Sequence, residues 1–446
     1  MPARLEINLG AQRPSLPRRG SGPTRMLLVG DFSGASPAAR VPLAERPTHR
    51  VDPDRLDALV QRLRPRVLAA AGAVDFGQLD DFHPDALYAR LPSFEDLRQA
   101  RAQPPGAGNA LLGPLLGTPA AAAVAPGVPA APRSGLDALL HRVTAGHVVA
   151  DRSAETAAHL AAVDAAIAER MRALLHTPEL QRLEAAWRSV RWLLERLELD
   201  EGLELHLFDA TRDELLADIV AAQGRLAETG VQRALAERWR GVSGAPGWTL
   251  LVGLYAFGAS DTDIGLLAAL GLVARQAGGP WLAEADATLA AADEATLAGW
   301  NTLRASEAAP WIGLATPRLL LRRPYGKASD PVADFAFEEI VGAPRSDELL
   351  WGNPALAIAL LAARGEPGEG SAAGPAQTID DLPAYVFTHD GERELQPCTE
   401  RLLGEREALA LLQRGLMPLL AHRDRNALTL PRLQSIAQPP RALAGL

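Results

Sequence analysis

Apolar positions alternate or recur at helical spacing along most of this chain, and the switches between the two periods divide it into elements. Leu5, Ile7 and Leu9 alternate with Glu6 and Asn8, the two-residue period of a half-buried strand, and a Pro/Arg-rich tether then runs to Gly22. A terminal strand cannot satisfy its own backbone hydrogen bonds, so it is expected to pair with a sheet edge, in its own molecule or a neighbour's. The run MLLVGDFSG, Met26 to Gly34, predicts a buried strand ending in a tight loop. Val51-Asp52-Pro53 opens a helix: Asp52 suits the N-cap, Pro53 the first helical position, and Leu56, Leu59, Val60 and Leu63 form the apolar face. Two short helical stretches follow between Leu79 and Arg101.

Beyond a gap in periodicity, Leu160, Val163, Ile167, Met171, Leu174 and Leu175 recur at helical spacing until Thr177-Pro178. Leu180, Leu183, Trp187, Val190, Leu194 and Leu197 continue the pattern, which predicts an antiparallel helical hairpin. Leu203, Leu205 and Leu207 then alternate as a strand, and Thr211 with Glu214 forms a capping box that launches a helix. The strand-to-helix order recurs at Trp248–Tyr255 with a helix from Asp263 to Gln276, at Trp281–Ala285 and at Trp311–Ala315. Such alternation predicts an α/β fold, a sheet covered by helices. Near the end, AYVFTHDGEREL carries a hairpin signal at Asp390-Gly391, Thr399 is expected to open a helix reaching Gly415, and LMPLLAHRDRNALTL suggests a last hairpin.

Composition narrows the classes. The chain has 446 residues, enough for two or three domains, with 48% hydrophobic and 22% charged residues, so a packed core is expected. Residues 103–134, mostly Ala, Pro, Gly and Leu, read as a linker. A net charge of −9 offers no global field to draw the protein onto nucleic acid. The one cysteine, Cys398, excludes an internal disulfide framework. No segment offers a secretory signal or a membrane-spanning apolar run, so a cytoplasmic protein without membrane insertion is expected.

Candidate chemistry is thin. His83 beside Asp80, Asp81 and Asp85 resembles a metal cluster in composition, but adjacent carboxylates do not fix ligand geometry, and capping with surface charge is the expectation. Asp209, Asp213, Asp261 and Asp263 lie near strand ends, where α/β proteins often place active sites, but as helix caps and N-terminal dipole partners they need no further role, and with no motif beside them capping is the expectation. Arg322, Arg323, Tyr325, Lys327 and Asp330 make a polar knot suited to phosphate, yet no Gly-rich loop accompanies them, and turn residues with solvated charges are expected there. No Walker loop, dinucleotide fingerprint, HExxH or GxSxG occurs.

Longer blocks carry a resemblance. TPRLLLRRPYG (with Pro317, Arg318, Pro324, Tyr325 and Gly326), DPVADFAFEE (Asp330, Pro331, Phe335), LLWGNPALAIALL (Trp351, Gly352, Asn353) and LLHTPELQRLEAAWRSVRWLLER (Trp187) are similar to the large sheath subunit of bacterial type VI secretion, TssC/VipB. LEINLG, RMLLVGDFSG (Asp31, Phe32) and the helical blocks to Arg101 resemble the small sheath subunit, TssB/VipA. The resemblance implies a phage-tail-sheath-like fold in one fused chain. A small-subunit-like module would occupy 1–102, with the linker at 103–134. A large-subunit-like module would occupy 135–446, with its hairpin at 153–197, an α/β core at 203–430, and no C-terminal segment of the large subunit.

The function so implied is structural rather than enzymatic: a contractile sheath component that polymerises by strand addition and packing. The partners implied are other copies, other sheath subunits, and inner-tube and baseplate proteins, with no cofactor, metal or nucleic acid. Recognition by the recycling ATPase stays open, because the large subunit's helical segment for it has no convincing counterpart here. Leu5, Ile7 and Leu9 are the assembly candidates. A non-polymerising accessory near the baseplate is the alternative, and an enzyme on an α/β scaffold is the alternative of another class.

Overall fold

The computed structural model describes residues 24–34, 40–69, 72–103, 153–238, 247–293, 297–364 and 377–446. Sixteen strands occur among them. In chain order they are β1 (Thr24–Gly30), β2 (His49–Arg50), β3 (Arg66–Ala69), β4 (Gly72–Asp75), β5 (Leu203–Asp209), β6 (Leu250–Phe257), β7 (Trp281–Ala285) and β8 (Ile312–Thr316). There follow β9 (Leu319–Leu320), β10 (Trp351–Gly352), β11 (Gln377–Ile379), β12 (Tyr385–His389), β13 (Glu392–Gln396), β14 (Met417–Pro418), β15 (Leu420–Ala421) and β16 (Leu428–Leu430). The main helices are α1 (Leu56–Leu63), α2 (Pro84–Arg90), α3 (Glu95–Ala102), α4 (Ser153–Leu175), α5 (Pro178–Leu194), α6 (Arg212–Ala221), α7 (Asp261–Ala277), α8 (Ala298–Arg304), α9 (Ala355–Arg364) and α10 (Glu405–Gln413).

The core is a seven-stranded sheet in the order β14-β8-β7-β6-β1-β5-β2, parallel except for the antiparallel edge β2. Of its two strands from the N-terminal stretch, β2 is an edge and β1 is not. β1 lies between β5 and β6 and pairs with both. Met26 and Leu28 face one apolar layer with Trp187 and Val190, whereas Leu27 and Val29 face the other with Leu266 and Leu270. Burial on both faces explains the unbroken apolar run of β1, since a strand covered by helices on each side has no polar face to show. The described residues up to 103 and those from 153 onward therefore share the apolar layers on both faces of one sheet, although the sequence pattern sets them apart.

Helices α4 and α5 form the expected hairpin, with Pro178 at the first position of α5. Ser260 caps α7 by accepting a hydrogen bond from the Asp263 N–H, so this helix starts two residues ahead of the sequence expectation, and Gly278 closes it in the left-handed conformation. The helix expected from Thr399 begins only at Glu405. Thr399 is buried and bridges Leu319, and the Cys398 carbonyl accepts from the Leu320 N–H, so these residues are held as an extended partner of β9. The Asp390-Gly391 hairpin is present as β12 and β13, with both turn residues at positive φ.

Candidate functional site

The turn that follows β8 is where the polar residues of the sequence blocks converge. The Thr316–Pro317 peptide is cis, and the Arg318 guanidinium donates to both Glu400 oxygens at 2.9 and 2.6 Å. Two residues past β9, Arg322 turns inward. Its Nε donates to Glu184 Oε1 at 2.8 Å, its Nη1 to Glu339 Oε2 at 2.7 Å, and its guanidinium lies 4.0 Å from the Tyr325 ring centre. Arg188 completes the cluster, donating to Glu184 at 2.6 Å and to the Tyr325 hydroxyl at 2.8 Å, and the Tyr325 N–H donates to Glu339 at 2.7 Å.

Electrostatics follows from that geometry. Burial, the largest single influence, works to raise the Glu184 and Glu339 carboxyls, but their neighbours together pull both down: Arg322 first at each, with Arg188 at Glu184 and with His176 and the Tyr325 N–H at Glu339. Glu339 is pulled down to about 2. Burial pushes the Tyr325 phenol upward, with Glu184 adding to the effect. The expected solvated charges are in this respect corrected: Arg322, with a side chain only 10% exposed, is a buried counter-ion, and its donors face carboxylates rather than a phosphate. The neighbouring cleft of about 280 Å³ is lined by Asp80, Glu195 and Asp330 as well as by Arg188 and Arg191, a balance that also disfavours an anion.

An extended strap follows. Phe335, Phe337 and Glu339 point inward in alternation, and Phe335 packs 5.0 Å from Tyr88 of α2. Among the described residues no strand pairs with it, and side chains hold much of it: Asp85 accepts from the Ala333 and Asp334 N–H groups and Asp164 from Ala336, while the Glu339 N–H donates to the Tyr325 carbonyl. Asp330 and Pro331 are exposed at its start; the Asp330 carboxylate sits 3.7 Å from His83, and its carbonyl accepts from the Gly326 N–H. His83 itself accepts from the Asp85 N–H as the cap of α2. Among the described residues no group of three or more His, Cys, Asp or Glu side chains is placed to hold a metal ion.

The remaining block residues secure the sheet's surroundings. Trp351 Nε1 donates to the Ser346 carbonyl at 2.7 Å. A β-carbon on Gly352 would lie 2.6 Å from Leu321, so glycine there permits close approach. Asn353 donates to the Tyr255 carbonyl at 3.0 Å and caps α9 by accepting from Ala355 at 3.0 Å. Across the sheet, Trp187 Nε1 donates to the Phe32 carbonyl at 2.8 Å and the two rings meet edge to face at 5.6 Å. Asp209 accepts from the Phe32 and Ser33 N–H groups, while Asp31 accepts from Gly34 and pairs with Arg40. Leu5, Ile7 and Leu9 lie outside the described residues.

The structure thus brings Phe32 to Trp187, and Tyr325 to the strap at Glu339; it leaves Arg318 and Asn353 in separate contacts. Glu184, Arg188 and Glu339 were missed in the sequence. Glu184 follows Leu183 on the apolar stripe of α5, and Glu339 continues the inward alternation of Phe335 and Phe337; a charge at an apolar position was the available signal. Glu284 of β7 is a further carboxyl, half-buried at the end of the strand. Burial lifts it to about 7, against Arg318 and with help from Glu400 and Asp286.

Two family comparisons bear on this arrangement. Residues 157–437 match VipB (EvpB/VC_A0108, tail sheath N-terminal domain). Residues 2–122 match T6SS_VipA (Type VI secretion system, VipA, VC_A0107 or Hcp2). The chain belongs to the tail-sheath family of type VI secretion. It joins in one polypeptide the sequences of both sheath families, and the two matched regions meet in the single sheet where β1 enters between β5 and β6. Among curated proteins, the type VI secretion system sheath protein TssC1 of Pseudomonas aeruginosa is 29% identical over 303 residues, covering 63% of this chain and 61% of the relative. The chain therefore matches about three-fifths of the length of that relative.

Proposed function

We propose that this sheath-family chain is a structural component of a type VI secretion sheath or sheath-like assembly in the cytoplasm, built by packing and strand addition rather than by a catalysed step. The observation that carries the reading is the match of both sheath families to segments that share one core. Fusion gives the two parts a fixed one-to-one ratio and a high effective concentration at each other. The polar residues of the sequence blocks support a scaffold role, since Arg322, Glu184 and Glu339 are engaged with one another. Other copies and other sheath subunits are the first partners, with inner-tube and baseplate proteins further out. Leu5, Ile7 and Leu9 would donate a strand to a neighbour.

Electron microscopy of the purified protein, alone and with the inner-tube protein of the same system, tests this. Ordered tubes or rings are expected, and deletion of residues 2–9 should shorten or abolish them. Compact monomers under both conditions would refute self-assembly and would favour an accessory near the baseplate.

A further inference from the structure

Two exposed apolar patches stand on different sides of the molecule, each with a free charge beside it. The first is on the β12–β13 hairpin. One face of this hairpin packs inward, where Tyr385 rests against Leu320, Leu349 and Trp351. On the other face Val386 and Leu395 are directly opposite each other and 48% and 41% exposed, and the next pair along, Thr388 and Arg393, is exposed as well. Among the exposed large apolar residues described, Val386 and Leu395 are the two that pair with each other, so they make a patch rather than scattered single positions. The second patch is on α6. A helix that covers a sheet ordinarily keeps its apolar residues to one stripe. Helix α6 buries Leu215 and half-buries Leu216 and Ile219 against the sheet, yet Ala217, Val220 and Ala221 are exposed on its outer side, Val220 at 65%. Asp213 heads this outer stripe, one turn before Ala217 and two turns before Val220 and Ala221.

The two patches match in charge and in spacing. Asp213 and Arg393 are exposed, and neither has an ion-pair partner among the described residues. Along α6 the rise from Asp213 is about 6 Å to Ala217 and about 10 Å to Val220, and along β13 the step from Arg393 to Leu395 is about 7 Å. An apolar pair with a cation just beyond it thus faces an apolar stripe with an anion just beyond it. The patches are also kept apart within one molecule. Helix α6 lies in the apolar layer of Leu27 and Val29, whereas the hairpin rests on Trp351 of β10, which packs with α5 in the layer of Met26 and Leu28 on the opposite face of the sheet.

We propose that the solvent face of the β12–β13 hairpin docks on the outer stripe of α6 of a neighbouring copy, with Val386 and Leu395 against Ala217 and Val220 and with Arg393 beside Asp213. Side chains alone make this contact, without backbone pairing between the copies. Because the two patches differ and lie on different faces, the contact is head-to-tail, which propagates into rings or filaments rather than closing a two-fold dimer. It is smaller than the interface of a stable dimer, so it holds where copies repeat and each engages at both patches.

The inference rests on the self-assembly proposed above, and its test separates the two. The one native cysteine, Cys398, is buried, so introduced cysteines report cleanly to a short bismaleimide cross-linker. Full-length copies carrying Ala217→Cys and full-length copies carrying Thr388→Cys, one of them isotopically labelled, are mixed and cross-linked. A peptide pair joining residue 217 of one copy to residue 388 of the other is expected. Adding Arg393→Asp to the Thr388→Cys copy should lower its yield about tenfold, since attraction to Asp213 becomes repulsion, and adding Asp213→Arg to the Ala217→Cys copy should then restore it. Ordered assemblies without the pair would overturn this contact and leave self-assembly standing. The charge-dependent pair without ordered assemblies would uphold the contact and refute the sheath-forming reading, and neither pair nor assemblies would overturn both. A pair indifferent to Arg393→Asp, or not restored by Asp213→Arg, would overturn the matched surfaces. A 217–388 pair confined to one doubly substituted chain would overturn the neighbour, and shielding of both cysteines only by the inner-tube protein would give the patches to that partner instead.

Discussion

The Arg322 cluster makes the sharpest energetic prediction. Arg322→Met keeps most of the stem and removes the charge, leaving Glu184 and Glu339 buried without their shared counter-ion. Removing one partner of a buried pair costs about 3–5 kcal/mol, because the other charge stays desolvated. The structure supports a similar figure: Glu339 falls from its ordinary 4.5 to about 2, and at about 1.4 kcal/mol per pH unit that is on the order of 3 kcal/mol. The sign of the pH dependence follows. A carboxyl depressed on folding contributes its stability above the unfolded value near 4.5 and loses it as pH falls toward 2. Urea unfolding followed by circular dichroism at pH 7 should show Arg322→Met destabilised by roughly 3–5 kcal/mol. The combined Arg322→Met, Glu339→Gln variant should recover most of the loss, since Glu184 keeps Arg188 as its counter-ion and no uncompensated charge remains. Across pH 4.5 to 2 the wild type should lose stability more steeply than Glu339→Gln. A single Arg322→Met within about 1 kcal/mol of wild type, the range of an exposed pair, would refute the buried counter-ion argument.

Three further outcomes are expected. Trp187→Phe, which strands the Phe32 carbonyl without its donor, should lower unfolding free energy by about 1–3 kcal/mol in urea titration. Gly352→Ala places a methyl against Leu321 and should cost about 1–3 kcal/mol, read as a lower thermal midpoint. Glu284, lifted to about 7, favours the folded state fully below pH 4.5 and loses that contribution as pH rises through 7. Glu284→Gln should therefore raise stability relative to wild type at pH 8, by about 1–3 kcal/mol, and leave it nearly unchanged at pH 4.

Much of the fold was legible because it is written locally. The alternation of Leu203, Leu205 and Leu207, the Thr211/Glu214 box, the Pro178 start of α5 and the Asp390-Gly391 turn each act within a few residues, and each element stands where its pattern placed it. Thr399 shows the limit. A residue suited to begin a helix is instead held extended by its backbone pairing near β9, and tertiary pairing outweighs a propensity worth less than 1 kcal/mol.

The blocks around Tyr325 and Trp351 were visible as a family pattern, but their roles were not. In the sequence, Arg322 beside Arg323 in a proline-rich turn looks like solvated charge. Its counter-ion Glu184 lies 138 positions away. By itself the sequence determined the periods, caps and turns, and the resemblance to two sheath families, because short-range sterics and hydrogen bonding set them. Only the tertiary structure decided that β1 enters between β5 and β6 and that three separated charges share one buried site. Strand neighbours and buried ion pairs are chosen by the joint covering of apolar faces and the desolvation of distant groups; a charge at an apolar position such as Glu184 marks a buried group but does not name its distant partner.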